Sequence, residues 1–185
     1  MPMNTSSSQA ETGTETGSPP ATSATSATTA ISPVTADEIN LTPGYTFVSA
    51  GRTITEHDVV TFAGLSGDFN QIHVNHEFAS QTRFGRRIAH GLLTLSILSG
   101  LTTQSLEYRL IEPSVVALLD IQCRFPKPTF IGDTIISRVT VTEKIPDFKK
   151  GCDRITFRRE AVNQRGEVTV QADFVMLIRS RRQSA

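Results

Sequence analysis

The sequence predicts an α+β domain in which one curved antiparallel sheet wraps a single, central, buried helix. Residues 90–101, HGLLTLSILSGL, carry apolar or small side chains on every face, and four strand-like runs follow Pro113. Before them come one short strand and shorter helical pieces. A helix that is apolar all round is enclosed by other structure, and strands that alternate have one face on a core. A sheet folded around one helix satisfies both conditions, the hot-dog arrangement.

Taken in order, residues 1–40 contain 28 Ser, Thr, Ala, Gly or Pro and no aromatic residue. Such a stretch buries too little apolar surface to offset the entropy of ordering it, so it is read as a disordered tail preceding a domain over residues 41–185. Residues 45–50 read as a strand and Gly51-Arg52 as a turn. Thr55 is an N-cap with Glu56 and Asp58 in the first turn, followed by an apolar face of Val59, Phe62, Ala63 and Leu65. Gly67 stops that helix, residues 68–74 read as a loop, and residues 76–81 read as a short helix. A charged loop over residues 83–87 leads into the central helix. The strands then fall at residues 115–125, 134–143, 154–163 and 167–178, punctuated by Pro126, Pro128, Gly132, Pro146, Gly151 and Gly166. Asn163-Gln164-Arg165-Gly166 joins the last two as a hairpin.

Charge and composition exclude several classes. The whole chain balances 18 Lys+Arg against 18 Asp+Glu, but the four tail acids Glu11, Glu15, Asp37 and Glu38 leave 18 − 14 = +4 after residue 40. That excess is too mild and too scattered for a nucleic-acid partner, and Arg179, Arg181 and Arg182 read as a solvated end. No run approaches the roughly 18 to 20 apolar residues that cross a bilayer, so no membrane partner is expected. The N-terminus has neither the basic start nor the apolar stretch of a secretory signal, and a cytoplasmic location is expected. Cys123 and Cys152 lie in no CxxC or Cys/His cluster and are expected to be reduced. His57 and His76 are expected on the surface. With no second His or Cys at ligand spacing, no metal is expected.

The chemistry concentrates in Ser66-Gly67-Asp68-Phe69-Asn70-Gln71-Ile72-His73. A carboxylate and an imidazole five residues apart on a loop suit acid/base work, since imidazole both gives and takes a proton near neutral pH. The alternative from spacing alone is that Asp68 and Asn70 cap the loop and His73 fills a polar gap. His90-Gly91 opens the central helix. A helix start offers unpaired amides, and glycine lets a ligand approach them, so an oxyanion fits there; close packing of helix on sheet explains the glycine equally well. An acid/base pair beside an oxyanion site is what enolate chemistry next to a carbonyl requires.

The run Phe62 to His73, followed by Phe78-Ala79, Ile88-Ala89-His90-Gly91-Leu92-Leu93, Phe125-Pro126-Lys127-Pro128 and Ile131-Gly132-Asp133, resembles the MaoC-like (R)-specific enoyl-CoA hydratases. The resemblance covers about 140 residues. It implies a hot-dog fold, a homodimer or higher homo-oligomer, and reversible syn addition of water to a trans-2-enoyl thioester. No cofactor is implied beyond the coenzyme A or acyl carrier protein of the substrate itself. By the same resemblance Asp68 activates water, His73 serves the α-carbon through that water, and the Gly91 amide meets the thioester oxygen. Asn70 and Ser66 hold the loop, and Ser96 supports the Asp from the helix. Gln71 stands where the family usually has Pro, which frees φ, restores an amide donor and offers a polar contact at the mouth of the site. Arg83, Arg86, Arg87 and Lys127 are candidates for coenzyme A phosphates, or otherwise a solvated basic surface. Two other readings stand beside the hydratase: a non-catalytic acyl-thioester binder or accessory subunit, and a hot-dog thioesterase. The last needs a carboxylate on the central helix, and residues 90–101 have none.

Overall fold

The computed structural model describes residues 41–180; the tail predicted over residues 1–40, and Arg181 and Arg182, lie outside the described residues. The strands are β1 Thr46–Val48, β2 Arg52–Thr53, β3 Val115–Arg124, β4 Thr134–Lys149, β5 Cys152–Asn163 and β6 Val168–Arg179. They form one antiparallel sheet in the order β1-β4-β5-β6-β3, with β2 also beside β4. The helices are α1 Glu56–Ser66, α2 Gln71–Val74, α3 His76–Ser80, α4 Gly91–Gln104 and α5 Leu106–Ile111.

The long helix α4 lies on the sheet. Leu93, Ile97, Leu98 and Leu101 pack with Ile54, Val59, Ile135, Ala161 and Val170. A second cluster of Phe47, Tyr108, Val139, Phe157 and Phe174 fills the other end, and Leu95 touches both. The buried Thr102 and Ser137 hydroxyls meet at 2.7 Å and tie α4 to β4 at a fixed height. On β5 the buried positions alternate from Asp153 to Ala161, as expected of a strand with one face on a core. The hot-dog arrangement read from the sequence is the observed fold.

Several local expectations are corrected. This chain does not enclose α4 on every face: Leu92 is 61% exposed and Ser96 is exposed. Leu65, assigned to the apolar face of α1, is 82% exposed, because only Val59 and Ala63 of that helix are fully buried. Arg52 belongs to β2, since the chain returns to β4 at once and pairs Arg52 with Ile135. Residues 71–74 of the expected loop are helical, because the Asn70 side chain accepts from the Ile72 amide and caps a turn. Helix α5 was not anticipated. Strand β4 runs through Pro146, where the ladder is irregular between Ile145 and Lys149 and needs no amide from a proline. Among the described residues no helix is long and apolar enough to cross a membrane.

One buried ion pair joins the strand ends near the site. Asp133, 2% exposed, accepts two hydrogen bonds from the Arg165 guanidinium (2.9 and 3.2 Å), one from Gln164 and one from the Phe130 amide. Burial alone would raise its pKa, but the bonds from Arg165, Phe130 and Gln164 outweigh burial and hold it below the usual carboxylate range. The β3–β4 turn is thereby locked to the β5–β6 hairpin. Asp133→Asn is expected to lower unfolding stability by about 1–3 kcal/mol in urea denaturation, by removing the buried charge to which the Arg165, Gln164 and Phe130 donors point.

Candidate functional site

The site grows from the end of α1. Gly67, in the left-handed region at φ 75°, stops the helix and turns the chain outward. Ser66 donates to the Phe62 carbonyl (2.6 Å) and accepts from the Asp68 amide (3.2 Å). The Asp68 carboxylate accepts from the Asn70 amide (3.2 Å), and Asn70 in turn caps α2. Each side chain fixes the backbone two residues onward, which suits the short polar residues Ser, Asp and Asn. Helix α2 then carries His73, half-buried, whose Nδ1 lies 2.8 Å from the Ile88 carbonyl. A carbonyl only accepts, so the proton sits on Nδ1 and the Nε2 lone pair is left open. Burial holds the His73 pKa below the ordinary imidazole value; His90 lowers it further, while the Ile88 bond and Asp68 oppose.

The start of α4 meets this loop from the other side. His90 occupies the N-cap position but makes no side-chain cap bond. Its Nε2–H donates instead to the Asp68 carbonyl (2.9 Å), and its ring stacks on His73 with centroids 3.9 Å apart and beside Phe62 at 5.1 Å. The amides of the first turn have no intrahelical acceptor and no cap from His90. A side chain at Gly91 would meet Phe125, since a Cβ there would lie 2.8 Å from the ring. A cavity of about 400 Å³ opens beside this point, lined by His73, Arg83, Phe84, Gly91, Phe125 and Lys127 among others. One ligand atom each of Asp68, His73 and His90 lies within 4.8 Å of the others, a group that spacing along the chain does not reveal. His73 Nδ1 and His90 Nε2 are spent on carbonyls and the rings are stacked, an arrangement suited to holding a proton or a water rather than a shared ion.

Comparison with known proteins bears on the family and the fold. Residues 38–163 match the family model described as MaoC like domain. The chain belongs to the MaoC-like family. An (R)-specific enoyl-CoA hydratase of Rhodospirillum rubrum is 35% identical over 133 residues, covering 72% of this chain and 85% of that protein. A 3-hydroxybutyryl-CoA dehydratase of Methylorubrum extorquens is 40% identical over 99 residues, 54% of this chain and 60% of that one. Among solved structures, the (R)-hydratase from A. caviae involved in PHA biosynthesis superposes with a TM-score of 0.60 at 31% identity, covering 73% of this chain and 95% of that chain.

Within this MaoC-like chain Asp68, Asn70, His73, Ser66 and Gly91 come together, and others do not. Ser96 donates to the Leu92 carbonyl of its own helix (2.8 Å) on the exposed side, and not to Asp68. Gln71 is the first residue of α2, a position where proline is equally at home, so the helix start needs no proline. Its carboxamide accepts from Asn75 (3.2 Å), and it does not line the cavity as the polar contact expected of it. Arg87 forks onto Glu56 (2.7 and 2.6 Å) and Arg86 lies over the Phe130 ring at 4.1 Å; neither lines the cavity. Lys127 does, paired with Glu167 at 2.8 Å, and so does Arg83, which has no carboxylate partner among the described residues. Sequence reasoning missed the His90 side chain and Phe125. The signal for His90 was a histidine at a helix start where Ser, Thr, Asp or Asn is usual.

Gly91→Ala is expected to lower stability by about 1–3 kcal/mol through the contact with Phe125. Combining it with Phe125→Ala removes the obstacle. Urea titrations of the two single variants and the double variant should give a favourable coupling of about 0.5–3 kcal/mol.

Proposed function

We propose that this chain is a hydro-lyase that adds water across a trans-2-enoyl thioester to give an (R)-3-hydroxyacyl thioester, and reverses the reaction. The observation that carries the reading is the convergence of the Asp68 carboxylate, the open Nε2 of His73 and the uncapped start of α4. A ring nitrogen of His73 and a carboxylate oxygen of Asp68 lie within 4.8 Å of each other, a gap that a single water spans. Asp68 accepts a hydrogen bond from one O–H and orients the molecule. His73 Nε2 takes the other proton as the oxygen bonds to C3. The C2=C3 electron pair moves onto the thioester oxygen, where the Gly91 amide donates to the developing charge. His73 then returns its proton to C2 and the carbonyl re-forms. Both parts of the water reach the alkene from one side, hence syn addition. The reaction needs no redox step and no cofactor beyond the carrier of the acyl group. Relatives named for this reaction support the assignment. Arg83 and Lys127 are the cations placed at the cavity to meet an anionic carrier, coenzyme A or acyl carrier protein.

Asp68→Asn and His73→Ala are each expected to lower turnover of crotonyl-CoA by about 10²–10⁴-fold while circular dichroism shows an intact fold. Near-normal turnover in both would sink the reading; tight binding of acyl-CoA without turnover in the unaltered chain would favour the accessory-subunit alternative, and release of free thiol the thioesterase. Because hydration needs neutral His73, kcat/KM should fall as pH drops through a pKa lying below the ordinary imidazole value, and stay level just above it.

A second copy of the chain is the partner this reading includes. Strand β3 is an edge of the sheet, and it exposes Val116, Leu118, Leu119 and Ile121. A long apolar edge is a place where another strand pairs. A homodimer by light scattering is expected, and Leu118→Lys should convert it to a monomer. A cytoplasmic location accompanies this assignment, in keeping with two free, unpaired thiols at Cys123 and Cys152.

A further inference from the structure

Four of the five helices in the described residues have an N-cap side chain that accepts a backbone hydrogen bond: Thr55, Asn70, Asn75 and Ser105. The longest helix, α4, has none. Its cap position holds His90, a residue that is 2% exposed and whose Nδ1 has no partner. A buried imidazole with an orphaned acceptor is unfavourable, and a capping hydroxyl in its place would stabilise the helix. What His90 does instead is touch both residues of the pair, Asp68 through its backbone and His73 through its ring. Its Nε2–H holds the Asp68 carbonyl at 2.9 Å, and its ring covers one face of His73. With Nε2 spent on that carbonyl, Nδ1 is the ring atom left without a partner.

We propose that His90 is a positioning residue: with one ring it anchors the backbone of Asp68, shields the face of His73 and leaves the first amides of α4 uncapped for an oxyanion. Its effect on turnover rests on the hydratase reading given above, whereas its effect on His73 does not. Two consequences separate by chemistry. The donor to Asp68 is lost in His90→Phe, which keeps a ring over His73. The cover over His73 is lost in His90→Ala and largely in His90→Gln, although the Gln amide still reaches toward Asp68. The titratable groups facing His73 are His90 and, from the α1–α2 loop, Asp68; α1 presents the Phe62 ring, and Arg83 and Lys127 line the shared cavity.

The test uses the full chain with ¹³C-labelled histidine, following the His73 imidazole by NMR across pH alongside steady-state turnover of crotonyl-CoA. The His73 midpoint is expected to rise in His90→Phe only by the part that the His90 charge holds down, and to rise further toward the ordinary imidazole value in His90→Ala. Turnover is expected to fall about tenfold or more in His90→Phe with KM changed less than about threefold, and His90→Gln should recover part of that loss. An unchanged midpoint in folded His90→Ala overturns the proposal, as does turnover within about twofold of the unaltered chain in both His90→Phe and His90→Gln. If His90→Ala does not fold, His90→Gln takes its place with the same expected rise. If the unaltered chain hydrates no enoyl thioester, the hydratase reading fails while the NMR midpoint alone still decides the role of His90.

Discussion

The placement of α4 on the sheet is the constraint on which the site depends. Leu93, Ile97, Leu98 and Leu101 make the helix a buried strut, and the Thr102–Ser137 hydroxyl pair fixes its height against β4. Burying four such side chains contributes roughly 1.5–3 kcal/mol each, far more than any single polar contact in the site. The N-terminus of α4 therefore cannot drift. His90 and Gly91 are delivered to one point, and the α1–α2 loop is shaped to meet them. A rigid helix end supporting a loop of side-chain-to-backbone bonds is a sound way to hold reacting groups in register.

Legibility in the sequence followed physical range. The central helix, the four long strands and the hairpin were readable because their patterns extend over ten or more residues and each period samples the core repeatedly. The N-cap at Thr55 was readable because it is local in sequence, and the structure adds the reciprocal bond, accepted by the Asp58 carboxylate, that makes it a capping box. What failed were short pieces decided by tertiary partners. Strand β2 is two residues long and exists only because β4 lies beside it. Helix α5, with Ser105 as its cap and Tyr108 and Ile111 buried, is less than two turns and carries too little periodicity to register. Pro146 stops a regular ladder but not a strand already out of register.

The site divides the same way. Asp68, Asn70 and His73 were legible because five residues of spacing on a loop already bring them close. His90 was not, because its distance from His73 is seventeen residues in sequence and 3.9 Å between rings. The arginines show the opposite error. A cluster over residues 83–87 looks like one basic surface, yet Glu56 takes Arg87 and the Phe130 ring takes Arg86, leaving Arg83 at the cavity. A composition argument counts charges, whereas the fold decides which of them are already spent. Exposed ion pairs of this kind contribute at most about 1 kcal/mol each, so their chief effect is to set where the guanidinium points.

Several departures from ordinary local rules meet at the start of α4. A long helix starts without a side-chain cap, a buried imidazole nitrogen has no partner, a glycine sits where any side chain would meet an aromatic ring, and large apolar residues such as Phe69 and Leu92 remain exposed around them. Elsewhere most caps are filled, the Asp133 carboxylate is fully partnered and strand β5 alternates, although Arg154 Nε and Arg159 Nε are also buried without a partner. A missing cap alone costs about 1 kcal/mol, and an unpartnered buried polar atom costs about 1–3 kcal/mol. Several such costs at one small locus are the pattern of a surface shaped for something other than folding. The first amides of α4 have no side-chain cap, and the Phe125 ring leaves room at position 91 for glycine alone. These are the same features that the proposed hydration of an acyl thioester uses.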